Sequence, residues 1–224
     1  MTVPVRRARH ARHARHVRHA RRVLLSALLP LTLAACHARR APTTSVVPAS
    51  LAYLPRAAWG ARPPVLPMRE HVPDRLTIHH TGVAQAPART PGDKLRALQQ
   101  FSQREDRLAD GRAKRAWADV PYHLYVTTDG TVVEGREWRY VGDSNTPYDP
   151  TGHLLVVVEG NFETETLTDA QRRTLDVLVP ALARRFGIPA ARLGAHRDFA
   201  STACPGHNLY AELPHFRALI AGTP

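Results

Sequence analysis

His153-Leu154-Leu155-Val156-Val157-Val158-Glu159 sets five consecutive branched apolar residues between two polar ones. A strand with one wet face alternates apolar and polar residues, so an unbroken run predicts a strand covered on both sides. Working outward, Thr168-Asp169-Ala170-Gln171 has the spacing of a capping box. Leu175, Leu178, Val179, Leu182 and Phe186 then keep a helical period until Gly187 stops it. Upstream, Tyr122–Thr127 and Thr131–Gly135 read as strands joined around Asp129-Gly130, a hairpin signal. Thr90-Pro91-Gly92-Asp93 opens a helix expected to run to about Asp106, with Leu95, Leu98 and Phe101 on one stripe. Leu76–His80 is a short strand ending at the Thr81-Gly82 break. A last helix is predicted over Leu209–Ala221, where Pro214 is able to split it into two pieces. Strands alternating with helices around a buried strand predict an α/β fold: a single domain with a central mixed β-sheet packed by helices on both faces.

Not all of the 224 residues belong to that fold. Residues 1–22 carry eight arginines, four histidines and no acid, and an apolar run from Val23 to Ala35 ends in Leu33-Ala34-Ala35-Cys36. A basic segment, a short apolar segment and small residues before a cut describe an export signal, and the apolar run is too short to span a membrane. A cysteine directly after Leu-Ala-Ala resembles the bacterial lipobox, so residues 1–36 are expected to be a lipoprotein signal peptide. Lipidated Cys36 would then anchor the exported protein to a bacterial membrane, facing the periplasm or cell wall. Residues 37–52, with two prolines and no apolar period, read as a flexible tether, and residues 53–224 as the catalytic domain. Without residues 1–36, 23 basic residues face 19 acidic ones, and the net charge falls from +12 to +4. Such a balance suits an anionic cell-wall polymer and does not call for nucleic acid. A monomer is expected.

The chemistry gathers around two cysteines and a few histidines. If Cys36 is lipidated, Cys204 is left as a lone thiol in an oxidising compartment, and a bound metal would protect it. His196 stands eight residues before Cys204, and Thr77-Ile78-His79-His80-Thr81 offers a further imidazole. Two nitrogens and one sulfur would hold Zn2+ with a fourth position open, the arrangement of zinc hydrolases rather than of structural zinc. Such a site carries a charge of about +1, lowers the pKa of water to about 7 and polarises a carbonyl. In a strand His79 and His80 point to opposite faces, so only one serves a given site, and spacing alone does not choose between them. Tyr122, at the start of a predicted strand, is the candidate to stabilise an oxyanion. The hydroxyl of Thr202, two residues before Cys204, would either hold water or substrate or close a local turn.

Arg56-Ala57-Ala58-Trp59-Gly60-Ala61, Ile78-His79-His80-Thr81, Tyr122-His123 with Asp129-Gly130-Thr131, Glu159-Gly160-Asn161-Phe162 and His196-Arg197-Asp198 through Thr202-Ala203-Cys204-Pro205-Gly206 occur in this order. Together they resemble the type 2 N-acetylmuramoyl-L-alanine amidases, which include the peptidoglycan recognition proteins and phage lysozyme-type amidases. The resemblance implies a zinc enzyme that cleaves the amide between N-acetylmuramic acid and L-alanine in peptidoglycan or muropeptides. It implies His79, His196 and Cys204 as metal ligands, with Tyr122 as the catalytic tyrosine, and it matches Thr202 to a threonine of the catalytic recognition proteins. Members that bind peptidoglycan without cutting it typically lack a ligand, whereas the set here is complete. A peptidoglycan-binding module that keeps its metal without turnover is the alternative, and a zinc hydrolase of another amide is a third reading. No acid is placed by sequence as a general base: Glu134, Glu137 and Glu159 are the candidates, and a salt-bridged strand end is the simpler reading of Glu159.

Overall fold

The computed structural model describes residues 45–108 and 110–222. In chain order the elements are β1 (Tyr53–Leu54), α1 (Arg56–Trp59), β2 (Arg75–His80), α2 (Pro91–Ser102), β3 (Asp106–Arg107), β4 (Ala113–Lys114), β5 (Leu124–Val126), β6 (Val132–Glu134), β7 (His153–Val158), α3 (Asp169–Phe186), β8 (Leu193–Ala195), α4 (His207–Tyr210) and α5 (Leu213–Ala221). Single 3-10 turns occupy Ala190–Arg192 and His196–Asp198.

The apolar run becomes β7, and all six of its residues are buried. It lies inside a six-stranded sheet of order β1-β6-β5-β7-β2-β8. The β5–β6 hairpin is antiparallel and every other pairing is parallel, so the sheet is mixed. Leu76, Ile78, Leu154, Val156 and Val158 pack on one face with Leu175, Leu178 and Leu182 of α3 and Phe216 of α5. Trp59 of α1 and Leu95 of α2 cover the other face with Tyr125, Val133 and Val157. Each large apolar side chain buried this way contributes about 1.5–3 kcal/mol of transfer free energy.

Helix α3 starts where the capping box predicts. Thr168 accepts from the Gln171 N–H at 3.0 Å, and the Gln171 side chain accepts from the Thr168 N–H at 3.1 Å. Gly187 closes the helix in the left-handed conformation, with φ of 64°. The C-terminal helix is divided as Pro214 allows, into α4 and α5.

Three expectations need correction. Helix α2 stops at Ser102 rather than near Asp106, because the Lys114 ammonium donates to the carbonyls of Ser102 and Arg104, each at 2.9 Å. The residues beyond turn into the small β3–β4 hairpin. Part of the stretch 37–52, expected to be a flexible tether, is packed instead: Val47 is buried in the α3-side core and Val46 and Leu51 pack against it. Strand β5 begins at Leu124, which leaves Tyr122 outside it, between bends at Pro121 and His123. The predicted signal peptide, Cys36 and residues 37–44 of the tether lie outside the described residues.

Candidate metal centre

Parallel pairing builds the site. Strand β8 runs beside β2 with Ile78 opposite Ala195. The next residues, His79 and His196, therefore stand side by side at the carboxyl ends of their strands, His79 still paired with Val157 of β7 and His196 just past the end of β8. Their ring centroids are 4.6 Å apart. Ile78 and Leu76 fill the α3-side core, so alternation sends His79 to the opposite face, toward α2. This decides between the two neighbouring histidines. His80 is a structural residue, and its Nδ1 accepts the Phe162 N–H at 3.3 Å.

Cys204 arrives on a loop that closes on itself. Its carbonyl accepts the Arg197 N–H at 2.9 Å, and its own N–H donates to Thr202 Oγ1 at 3.2 Å. The Arg197 guanidinium adds a bond to the Ala203 carbonyl at 3.1 Å. Gly206 ties this loop to the exit of β7. Its φ is +88°, and a Cβ there would stand 2.4 Å from the Phe162 carbonyl carbon. Thr202 thus makes the local turn bond that its position allows.

The ligand atoms of His79, His196 and Cys204 lie within 4.8 Å of one another. His79 Nδ1 is 3.6 Å from Cys204 Sγ. A tetrahedral zinc ion, with bonds of about 2.3 Å to sulfur and about 2.0 Å to nitrogen, separates such atoms by about 3.5 Å. The donor chemistry fits as well. Burial holds His79 well below the ordinary histidine range and pushes His196 down to about 4, so both rings are neutral. Burial also pushes the Cys204 thiol up to about 12, so a thiolate there calls for a cation. The His80 N–H donates to the sulfur at 3.4 Å. These three residues would hold Zn2+.

Tyr122 packs its ring 5.1 Å from that of His79. Alternation back from Leu124 and Val126 would carry it to the α3 face, and the bend before β5 turns it to the metal side instead. Burial raises its pKa well above the ordinary tyrosine value, so the phenol stays protonated and able to donate. Tyr122 also lines a pocket of about 540 Å3 whose wall includes Thr81, Leu98, Phe101, Trp117 and Tyr125.

The candidate acids are held by other partners. Glu159 is buried, paired with Lys94 at 2.8 Å and accepting the N–H groups of Ala86 and Thr128 at 2.9 and 3.0 Å. Glu134 accepts the Arg56 N–H at 2.9 Å, and Glu137 pairs with Arg139.

Three residues escaped the sequence reading. Thr146 Oγ1 is 2.6 Å and Ser144 Oγ 3.4 Å from His196 Nε2. Tyr148 lays its ring 5.1 Å from that of His196, and its buried hydroxyl has no hydrogen-bond partner. All three come from the stretch Asp143–Asp149, which lacks periodicity and reads only as a polar turn.

A family model described as N-acetylmuramoyl-L-alanine amidase matches residues 69–207, which contain every candidate ligand and Tyr122. This chain belongs to that amidase family. Among its relatives, the human N-acetylmuramoyl-L-alanine amidase is 34% identical over 76% of this chain, an alignment that spans 30% of the human protein. The structure is similar to the endolysin amidase LysCS from Clostridium intestinale, with a TM-score of 0.56 and 25% identity over 73% of this chain and 93% of the other. It is also similar to peptidoglycan recognition protein LE in complex with tracheal cytotoxin, with a TM-score of 0.60 and 27% identity over 73% and 93% of the two chains. The family therefore includes proteins named as amidases and proteins named for recognition.

Proposed function

We propose that this chain is a zinc-dependent N-acetylmuramoyl-L-alanine amidase acting on bacterial peptidoglycan or its muropeptides, exported and held at a membrane through lipidated Cys36. The complete ligand set supports the catalytic reading: His79, His196 and Cys204 come together with neutral imidazoles, and three protein ligands are what zinc hydrolases use. Zinc bound there supplies Lewis acidity toward a carbonyl and acidifies water near neutral pH. Tyr122, beside His79 and protonated throughout the neutral range, donates a hydrogen bond to the oxygen that gains charge when the amide is attacked. The apolar wall of Leu98, Phe101 and Trp117 positions the peptide side of the substrate and keeps bulk water from that side.

Mass spectrometry of peptidoglycan digested with the full chain tests this reading. Free stem peptides beginning with L-alanine are expected, with chelation abolishing their release and zinc restoring it. Intact muramyl-peptide bonds after digestion with zinc-loaded protein would leave a peptidoglycan-binding module in place of the enzyme. Tyr122→Phe is expected to keep its zinc and lose about 10²–10³ in kcat; unchanged kcat would remove the tyrosine from the reaction.

A further inference from the structure

The two histidines of the metal centre are held in different ways. His79 Nε2 is buried with no hydrogen-bond partner, and its ring is fixed by the strand beneath it and by the rings of Tyr122 and His196. His196 sits on a single 3-10 turn at the sheet edge, where no strand continues past Ala195 to hold it. What it has instead is a pair of hydroxyls. Thr146 Oγ1 lies 2.6 Å from Nε2, Ser144 Oγ lies 2.7 Å from Thr146 Oγ1, and the Thr146 N–H donates to Ser144 Oγ at 3.1 Å. Alternate residues of one loop, Ser144, Thr146 and Tyr148, thus all meet the same imidazole, two through hydroxyls and one through its ring.

The base of that loop is itself pinned. The buried Arg136 guanidinium bonds the carbonyls of Val120 and Asp119, at 2.9 and 3.1 Å, and pairs with Asp143. The hydroxyls therefore present a fixed acceptor to the imidazole, whatever the ring itself does. With Nε2 occupied by the hydroxyls, Nδ1 is the atom left to join the cluster. A neutral ring that ligates through Nδ1 carries its proton on Nε2. Nε2–H then donates to Thr146 Oγ1, and the Thr146 proton goes to Ser144 Oγ. A partner on the second nitrogen of a ligating histidine fixes both its tautomer and its orientation.

We propose that Thr146, backed by Ser144, is a positioning residue of the metal centre that locks His196 as its Nε2–H tautomer with Nδ1 presented to the ion. The proposal rests on the reading that the cluster binds zinc. Zinc affinity of the full chain, measured by competition with a chromophoric chelator, tests it without recourse to activity. Valine has the shape of threonine without the hydroxyl, so a residue that only fills space is replaced at no cost in affinity. Thr146→Val is expected to bind zinc about 10–100-fold more weakly, and Thr146→Ser to stay within about threefold of wild type. Nitrogen-15 shifts of the imidazole should report a single Nε2–H tautomer for His196 in wild type and a mixture in the metal-free valine variant.

Equal affinity in wild type and Thr146→Val would overturn the positioning role, as would equal losses in the valine and serine variants. If Thr146→Val does not fold, Ser144→Ala decides: weakened zinc binding supports the relay and unchanged binding overturns it. A wild-type chain that binds no zinc contradicts the metal reading itself, an outcome separate from a wild-type chain that binds zinc as tightly as its valine variant.

Discussion

The candidate metal centre joins two regions built on different principles. His79 belongs to the sheet. It is placed by a six-residue strand paired on both sides, with Ile78 and Leu76 locking the register from the opposite face. His196 and Cys204 belong to loops. Their placement depends on hydroxyls, on backbone bonds such as Arg197 N–H to the Cys204 carbonyl, and on one glycine that lets the loop approach Phe162. The strand side spends many cooperative contacts on one ligand, whereas the loop side spends a few specific ones on two. Damage to the strand should therefore appear as lost folding stability, and damage to the loops as lost metal.

The largest effect falls on the loop-borne cysteine. Cys204→Ser is expected to drop the zinc content of purified protein from about one ion per chain to near zero while the chain still folds. Elemental analysis beside circular dichroism reads both, and a full complement of zinc would refute the ligand assignment.

A matched pair of smaller changes sharpens the contrast. Gly206→Ala forces a Cβ against the Phe162 backbone at positive φ, and should displace Cys204 and weaken zinc binding more than it lowers the stability of the metal-free chain. Ile78→Val, one residue from His79 but on the core face, should cost about 0.5–1.5 kcal/mol of stability with little change in zinc affinity. Chemical denaturation with chelator present and zinc titration of the folded chains separate the two quantities. The comparison fails if the valine variant loses metal and the alanine variant does not.

The last prediction concerns pH and the ground beneath the site. His123 is buried with Nε2 donating to the Tyr140 carbonyl at 2.8 Å and Nδ1 accepting the Leu155 N–H at 2.8 Å, and burial lowers its pKa to about 3. A histidine neutral in the folded state and titrating near 6.5 when unfolded binds more protons unfolded. Its stabilisation is complete above about pH 6.5 and is lost as pH falls toward 3, at up to about 1.4 kcal/mol per unit. Unfolding free energies measured with chelator between pH 4 and 7 should rise with pH, and His123→Gln should flatten that slope. A slope unchanged by the substitution would assign it to other groups.

What was legible in the sequence follows the same division. Strand β7 and helix α3 announce themselves through an apolar run and through a capping box with a helical period, since local pattern and tertiary burial agree there. Strands β1 and β8, two and three residues long, carry no period to read, yet β8 is what brings His196 beside His79. The end of α2 is set by Lys114, twelve residues beyond Ser102, and no signal inside the helix marks it. The ligands stood out because histidine and cysteine are chemically distinctive. The residues alone left His79 and His80 tied until strand orientation fixed which face meets α2. Ser144, Thr146 and Tyr148 could not be found, because a hydroxyl in a polar loop acquires its role only through what the fold places against it.

X-ray absorption at the zinc edge of the metal-loaded full chain tests the joining of strand and loops most directly. One sulfur at about 2.3 Å and the remaining scatterers, nitrogen or oxygen, at about 2.0–2.1 Å are the expected first shell. A zinc shell without sulfur, or a chain that retains no zinc, would contradict a centre assembled from His79, His196 and Cys204.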